Sequence, residues 1–166
     1  MRNLTFFLSF LLAALALPEA AVAQKAVIVI RHAENEGDRL LETGRARAER
    51  LIATLGSAGV GAVYSTDSKR TLGTVTPFAE ARKLTVRLYD TADGAGGLDA
   101  RPFVLRLLKD HPGDVVLVVG HVTTILDLLK TFGCPGDVTI APLEYDDLFV
   151  VVPKDKGAAA LVRLKY

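Results

Sequence analysis

The chain has 166 residues, 50% of them hydrophobic and 23% charged, and 20 basic against 19 acidic side chains leave a formal net charge of +1. That length supports one domain with a full core and is short for two. The near-neutral balance, with no basic run or aromatic-studded patch, excludes a nucleic-acid surface, and a single cysteine excludes a disulfide within the chain.

Met1 to Ala23 differs in composition from the rest of the chain. One early arginine, an apolar segment from Leu4 to Leu17 broken only by Thr5 and Ser9, then Pro18 and the small-residue end Ala21-Val22-Ala23 match a secretory signal peptide. The apolar segment is shorter than the ~20 residues that span a bilayer, which disfavours a membrane anchor. The pattern predicts a signal peptide over 1–23 and one domain over 24–166, secreted or periplasmic, with no membrane contact after cleavage. Cys134, in the turn FGCPGD, reads as a small turn residue with no neighbouring histidine or basic cluster to activate its thiol.

From Lys25 the chain alternates between two periodicities. The apolar β-branched run of KAVIVIRHAE predicts a strand buried on both faces, ended by Arg31 and His32. Asn35 to Leu41 is polar and predicts a loop. Thr43-Gly44 opens a helical stretch in which Ala46, Leu51, Ile52 and Leu55 recur, with Gly56 or Gly59 as its stop. Ala62 to Ser65 predicts a short strand, and Ser68 to Lys83 a helix that Gly73 and Pro77 weaken. Leu84 to Tyr89 alternates as a strand does, and Asp90 to Gly97 is a glycine-rich loop.

Ala100 to Lys109 predicts a helix, His111-Pro112-Gly113 a turn that leaves His111 on the surface, and Asp114 to Val119 a second buried strand ending at Gly120-His121. An amphipathic helix from His121 to Phe132 comes next, then two strands, Leu148 to Val152 and Ala159 to Leu164, as a closing hairpin. Strands alternating with helices predict a single three-layer α/β domain, a mainly parallel sheet with helices on both faces.

In such sheets ligands bind beyond the carboxyl ends of the strands. Arg31-His32 and Gly120-His121 both fall there, and the junction Ser65-Thr66-Asp67-Ser68-Lys69-Arg70-Thr71 adds a second arginine. Two guanidinium forks and two imidazoles, with no thiol and no paired carboxylates, complement a tetrahedral dianion. Arginine grips phosphate oxygens bidentately, and a neutral imidazole nitrogen can attack phosphorus.

Arg31-His32-Ala33-Glu34 resembles the Arg-His-Gly signature of branch 1 of the histidine phosphatase (phosphoglycerate-mutase-like) superfamily. Val63 to Thr71 resembles its second-arginine motif, and Val119-Gly120-His121 its second-histidine motif. The resemblance implies a phosphoglycerate-mutase-like fold, His32 as nucleophile, and a phosphate pocket of Arg31, Arg70 and His121, with no metal or cofactor. It also implies a carboxylate that protonates the leaving oxygen and then activates water. Asp90 occupies a place similar to the family's donor glutamate, with Asp93 as the second choice.

Ala33 stands where the family has glycine, Val122-Thr123-Thr124 follows His121 where many relatives carry Asn-Thr, and Asp90 is shorter than glutamate. No aspartate follows His121, unlike the branch holding many acid phosphatases and phytases, and no long insertion encloses the site as in mutases. The resemblance therefore implies a phosphatase hydrolysing phosphomonoesters, on a phosphorylated small molecule or a phosphoprotein, through a phosphohistidine on His32. The alternative is a non-catalytic module of the same fold that binds a phosphate ligand. A zinc site on His32 and His121 is disfavoured, because Arg31 and Arg70 would repel the ion. Glu34 is read as orienting the loop or a ring nitrogen, and Thr66 and Thr71 as helix caps or turn supports.

Overall fold

The computed structural model describes residues 26–154 and 157–166. The predicted signal peptide lies outside the described residues. In chain order the elements are β1 (Ala26–Arg31), β2 (Asn35–Glu36), β3 (Arg39–Leu40), α1 (Glu42–Thr54), β4 (Val60–Ser65), α2 (Lys69–Ala81), β5 (Val86–Leu88), α3 (Arg101–Asp110), β6 (Val115–Gly120), α4 (Val122–Thr131), β7 (Asp147–Val152) and β8 (Ala160–Lys165).

The two apolar runs lie side by side. Strands β1 and β6 pair in parallel from Ala26 opposite Val115 to Arg31 opposite Gly120, so the residues next after each strand, His32 and His121, emerge at the same sheet edge. Strand β4 flanks β6 in parallel, with Ser65 level with Val119, and brings the loop leading to Arg70 to that edge as well. The six-stranded order is β5-β4-β6-β1-β7-β8, in which β5, β4, β6 and β1 are parallel and the β7–β8 hairpin is antiparallel.

Successive β-branched residues send their side chains to opposite faces. Ile28, Ile30, Leu117 and Val119 pack against Leu51 and Leu55 from α1 and its C-cap and Val75 and Phe78 of α2. Val27, Val29, Val116 and Val118 pack against Phe103 and Leu107 of α3 and Ile125 and Leu128 of α4. This is the predicted three-layer arrangement, with α1 and α2 on one face and α3 and α4 on the other. Each buried side chain of this size contributes ~1.5–3 kcal/mol, against ~0–1 kcal/mol for an exposed ion pair such as Arg45–Glu42, so the two apolar layers hold the sheet.

Two expectations are corrected. The segment Asn35 to Leu41 is not all loop: β2 and β3 form a two-stranded antiparallel ribbon turned at Gly37, whose φ of 57° suits a residue without a Cβ. His111 is not on the surface. It is 7% exposed, with the Tyr64 hydroxyl 3.0 Å from Nε2 and the Asp114 carboxylate 2.9 Å from Nδ1. The turn after α3, with Gly113 at φ 101°, leaves the ring buried with a partner for each nitrogen.

Candidate active site

The site is a consequence of the β1–β6–β4 register. The ladder runs one bond further, from the His32 N–H to the Gly120 carbonyl at 3.0 Å, and the rings of His32 and His121 sit with centroids 5.3 Å apart, edge to face. His32 is buried, and its Nδ1 lies 2.9 Å from the Ala33 carbonyl oxygen. A carbonyl only accepts, so Nδ1 carries the proton and Nε2 keeps its lone pair. Burial is the main cause that brings the His32 pKa down to about 4, helped by the nearby positive charges of Arg31 and Arg70 and by His121, and opposed by the Ala33 carbonyl. The ring is therefore neutral across the physiological range. The His121 pKa is lowered as well, by burial first and by Arg70 second.

Arg70 reaches this pair from the first turn of α2. Its Nη2 lies 3.4 Å from His121 Nδ1, and Nη1 donates to the Gly37 carbonyl at 3.3 Å and faces Asp38 at 3.5 Å. The helix start is fixed locally: Ser68 caps it by accepting the Thr71 N–H, and Asp38 accepts the N–H groups of Lys69 and Arg70. Thr71 is buried and donates to the Thr66 and Ser68 carbonyls, a turn-supporting role. Thr66 does more than support the turn, since its hydroxyl stands 3.3 Å from His121 Nε2.

Arg31 enters from β1. Its Nη1 donates to the carbonyls of Pro142 at 2.8 Å, Glu144 at 3.1 Å and Ala141 at 3.3 Å, and its guanidinium lies 4.0 Å above the centre of the Tyr145 ring. Nε of Arg31 and Nε of Arg70 are both buried without a hydrogen-bond partner among the described residues. An orphaned buried guanidinium donor costs free energy unless an acceptor meets it, and an oxyanion is such an acceptor.

The Ala33 departure is accommodated. Ala33 is fully buried, its φ is not positive, and its N–H donates to the Thr74 hydroxyl at 2.8 Å. Glu34 points away from both imidazoles into a bidentate pair with Arg47, which holds its carboxyl below the usual carboxylate range. It thus anchors the loop to α1 and does not orient a ring nitrogen. At the same contact, a Cβ on Gly44 would come 2.1 Å from the Glu34 carbonyl oxygen, so only glycine lets α1 approach the loop so closely.

The two candidate proton donors part company. Asp90 lines a cleft of about 690 Å³ together with His121, Thr66, Tyr89 and Arg106. One of its oxygens accepts the Ala92 N–H at 2.9 Å. Asp93 turns into its own loop, accepting the N–H groups of Ala95 and Gly97 at 2.8 Å, and borders a different depression with Asp99 and Arg101. The acidic trio Glu144, Asp146 and Asp147 is met by Lys165, and Glu144 and Asp147 also by Arg163, so its charge is compensated within the chain. Two contributors escaped the sequence reading, Thr74 and Tyr145. Neither belongs to a strand end, and each acts on a residue remote in the chain.

Comparison with known proteins agrees with this geometry. The family model of the histidine phosphatase superfamily (branch 1) matches residues 27–92, which include Arg31, His32 and Arg70. No curated protein matches the chain. Among solved structures, a mycobacterial glucosyl-3-phosphoglycerate phosphatase in complex with VO3 is similar at a TM-score of 0.62 and 17% identity, over 85% of this chain and 98% of that one. A phosphoserine phosphatase in complex with 3-phosphoglyceric acid from Entamoeba histolytica is similar at 0.62 and 16%, over 86% and 97%. YhfR from Bacillus stearothermophilus is similar at 0.63 and 17%, over 81% and 94%. Its motifs gathered at one sheet edge, its fold and the family-model match over residues 27–92 make the chain similar to the histidine phosphatase superfamily, branch 1.

Proposed function

We propose that the chain is a phosphoric monoester hydrolase that works through a phosphohistidine on His32. The observation that carries this reading is the pair of orphaned guanidinium Nε–H groups, on Arg31 and Arg70, beside a neutral buried imidazole whose Nδ1 proton is committed to a carbonyl. The arginines take the non-bridging phosphate oxygens, with His121 as a further polar partner. His32 Nε2 attacks phosphorus, the bond to the ester oxygen breaks, and the alcohol leaves with a proton passed from Asp90. Water, giving a proton to the Asp90 carboxylate, then attacks phosphorus, the phosphorus–nitrogen bond breaks, and inorganic phosphate leaves with the His32 imidazole restored. Fixed cations stabilise the charge spread over the equatorial oxygens throughout.

Two observations support Asp90 over Asp93 as the donor: of these two, Asp90 alone lines the cleft with His121, and Asp93 is committed to the N–H groups of its own loop. The phosphatases of similar fold act on phosphorylated small molecules, which makes a phosphorylated small molecule the leading substrate class and a phosphoprotein the second. Export rests on the 1–23 pattern, and the mass of the protein recovered outside the cytoplasm, with or without those residues, tests it.

The activity is tested by hydrolysis of p-nitrophenyl phosphate by purified protein beside His32→Ala. Turnover by the wild type alone supports the hydrolase. Equal rates from both contradict it, and tight vanadate binding without turnover favours the phosphate-binding module.

A further inference from the structure

Tyr145 lies in the segment that leads from α4 into β7, and nothing in its local sequence marks it. Its ring nonetheless touches both ends of the phosphate site. One face carries the Arg31 guanidinium at 4.0 Å, and the ring centre is 5.9 Å from that of His32. The ring does not owe its position to the site. Glu144 accepts the Ala141 N–H at 2.9 Å and the Lys165 ammonium at 2.6 Å, and Asp147 is gripped bidentately by Arg163. The segment is thus pinned from the β7–β8 hairpin.

Arg31 has little freedom left once this segment is in place. Three carbonyls of the same segment occupy its Nη1, which leaves the Nε and Nη2 edge for an oxyanion. What sets the plane of that edge is the aromatic face beneath it. A guanidinium over an aromatic ring is held electrostatically, more strongly when water is excluded.

We propose that Tyr145 is a positioning residue of the phosphate site: its ring face fixes the plane of Arg31 while its edge shields His32 from water. The phenol hydroxyl has no part in this. The inference rests on the hydrolase reading above, and it adds a residue outside the strand-end motifs.

The charged and titratable groups around His32 are Arg31 from its own strand, Arg70 from α2, His121 ahead of α4 and Tyr145 itself. Removing the ring admits water to His32 and loosens Arg31, and both changes raise the His32 pKa from about 4 toward 6.5. Reactivity needs the neutral imidazole, so the acid limb of kcat/KM moves to higher pH.

The test compares Tyr145→Phe, Tyr145→Leu and Tyr145→Ala with the wild type, each verified as folded by circular dichroism. Readouts are the pH profile on p-nitrophenyl phosphate, vanadate inhibition, and the NMR titration of the His32 ring. Tyr145→Phe is expected to keep wild-type values. Tyr145→Leu and Tyr145→Ala are expected to weaken vanadate inhibition roughly 3- to 30-fold, and Tyr145→Ala to raise the titration midpoint of His32. An unchanged midpoint and unchanged vanadate affinity in Tyr145→Ala overturn the proposal, as does a Phe variant as impaired as the Ala variant. Should the wild type show no turnover, the hydrolase reading fails, and the NMR titration still decides the role of Tyr145.

Discussion

The N–H of Ala33 donates to the buried hydroxyl of Thr74 at 2.8 Å, and that hydroxyl in turn donates to the carbonyl of Arg70 at 2.7 Å. One side chain therefore ties the loop that holds His32 to the helix turn that holds Arg70. Replacing the hydroxyl by a methyl leaves two polar backbone groups with one partner fewer, at ~1–3 kcal/mol for each that stays unsatisfied. Thr74→Val is expected to lower kcat/KM on an aryl phosphate by about fivefold or more, the rate equivalent of the lower end of that range. Thr74→Ser, which keeps the hydroxyl, is expected to stay close to wild type. Equal loss in both variants would show that the hydroxyl is not what matters.

Gly44 gives a prediction of the opposite kind, too much matter in place of too little. Its missing Cβ is what lets α1 rest on the Glu34 carbonyl, two residues after His32. Gly44→Ala must push α1 and the loop apart, and overpacking of this type costs about 1–3 kcal/mol. The expected outcome is a lower urea midpoint together with reduced activity. A midpoint equal to that of the wild type would contradict the close approach.

The depressed pKa of His32 links folding to pH. The unfolded ring takes up a proton near 6.5, whereas the folded ring does so only near 4, so between those values the unfolded chain binds more protons. Unfolding free energy is therefore expected to rise with pH through that window, and the contribution of His32 is lost as pH falls through it. In His32→Ala the slope over pH 4 to 6.5 should shrink, as read from urea unfolding at a series of pH values. Identical slopes in the two proteins would show that His32 is not held neutral by the fold.

His111 is a histidine with a structural task. Its ring spans Tyr64 and Asp114, and Arg87 stands 3.3 Å from the same Nε2. His111→Ala is expected to destabilise the fold by ~1–3 kcal/mol, through the lost partners, while kcat per folded molecule is unchanged. A large fall in kcat with an unaltered urea midpoint would point to a role in the reaction.

Much of the fold and the site is legible in the sequence, for a reason that lies in the sheet. A strand buried on both faces must be apolar throughout, so Val27 to Ile30 and Val115 to Val119 announce themselves, and the first polar residues after them mark the working edge. That is why His32, His121, Arg31 and Arg70 can be named from the chain without their neighbours. The ribbon of β2 and β3 is invisible there because two residues per strand carry no periodicity. His111 misleads because Lys-Asp-His-Pro-Gly has the composition of a surface turn, while the ring's partners come from β4 and the start of β6. Tyr145 and Thr74 matter only through contacts with residues far away in the chain, and no local pattern encodes those.

A bond between phosphorus and one nitrogen of His32 can be looked for directly. Wild-type protein and His32→Ala are mixed briefly with a phosphorus-labelled phosphomonoester, quenched in alkali, and separated from free substrate. The expected result is label on the wild type that survives base and is lost in acid, located to the peptide bearing His32, and none on the variant. Label held equally by both proteins, or turnover by the wild type with no label at any quench time, would contradict it.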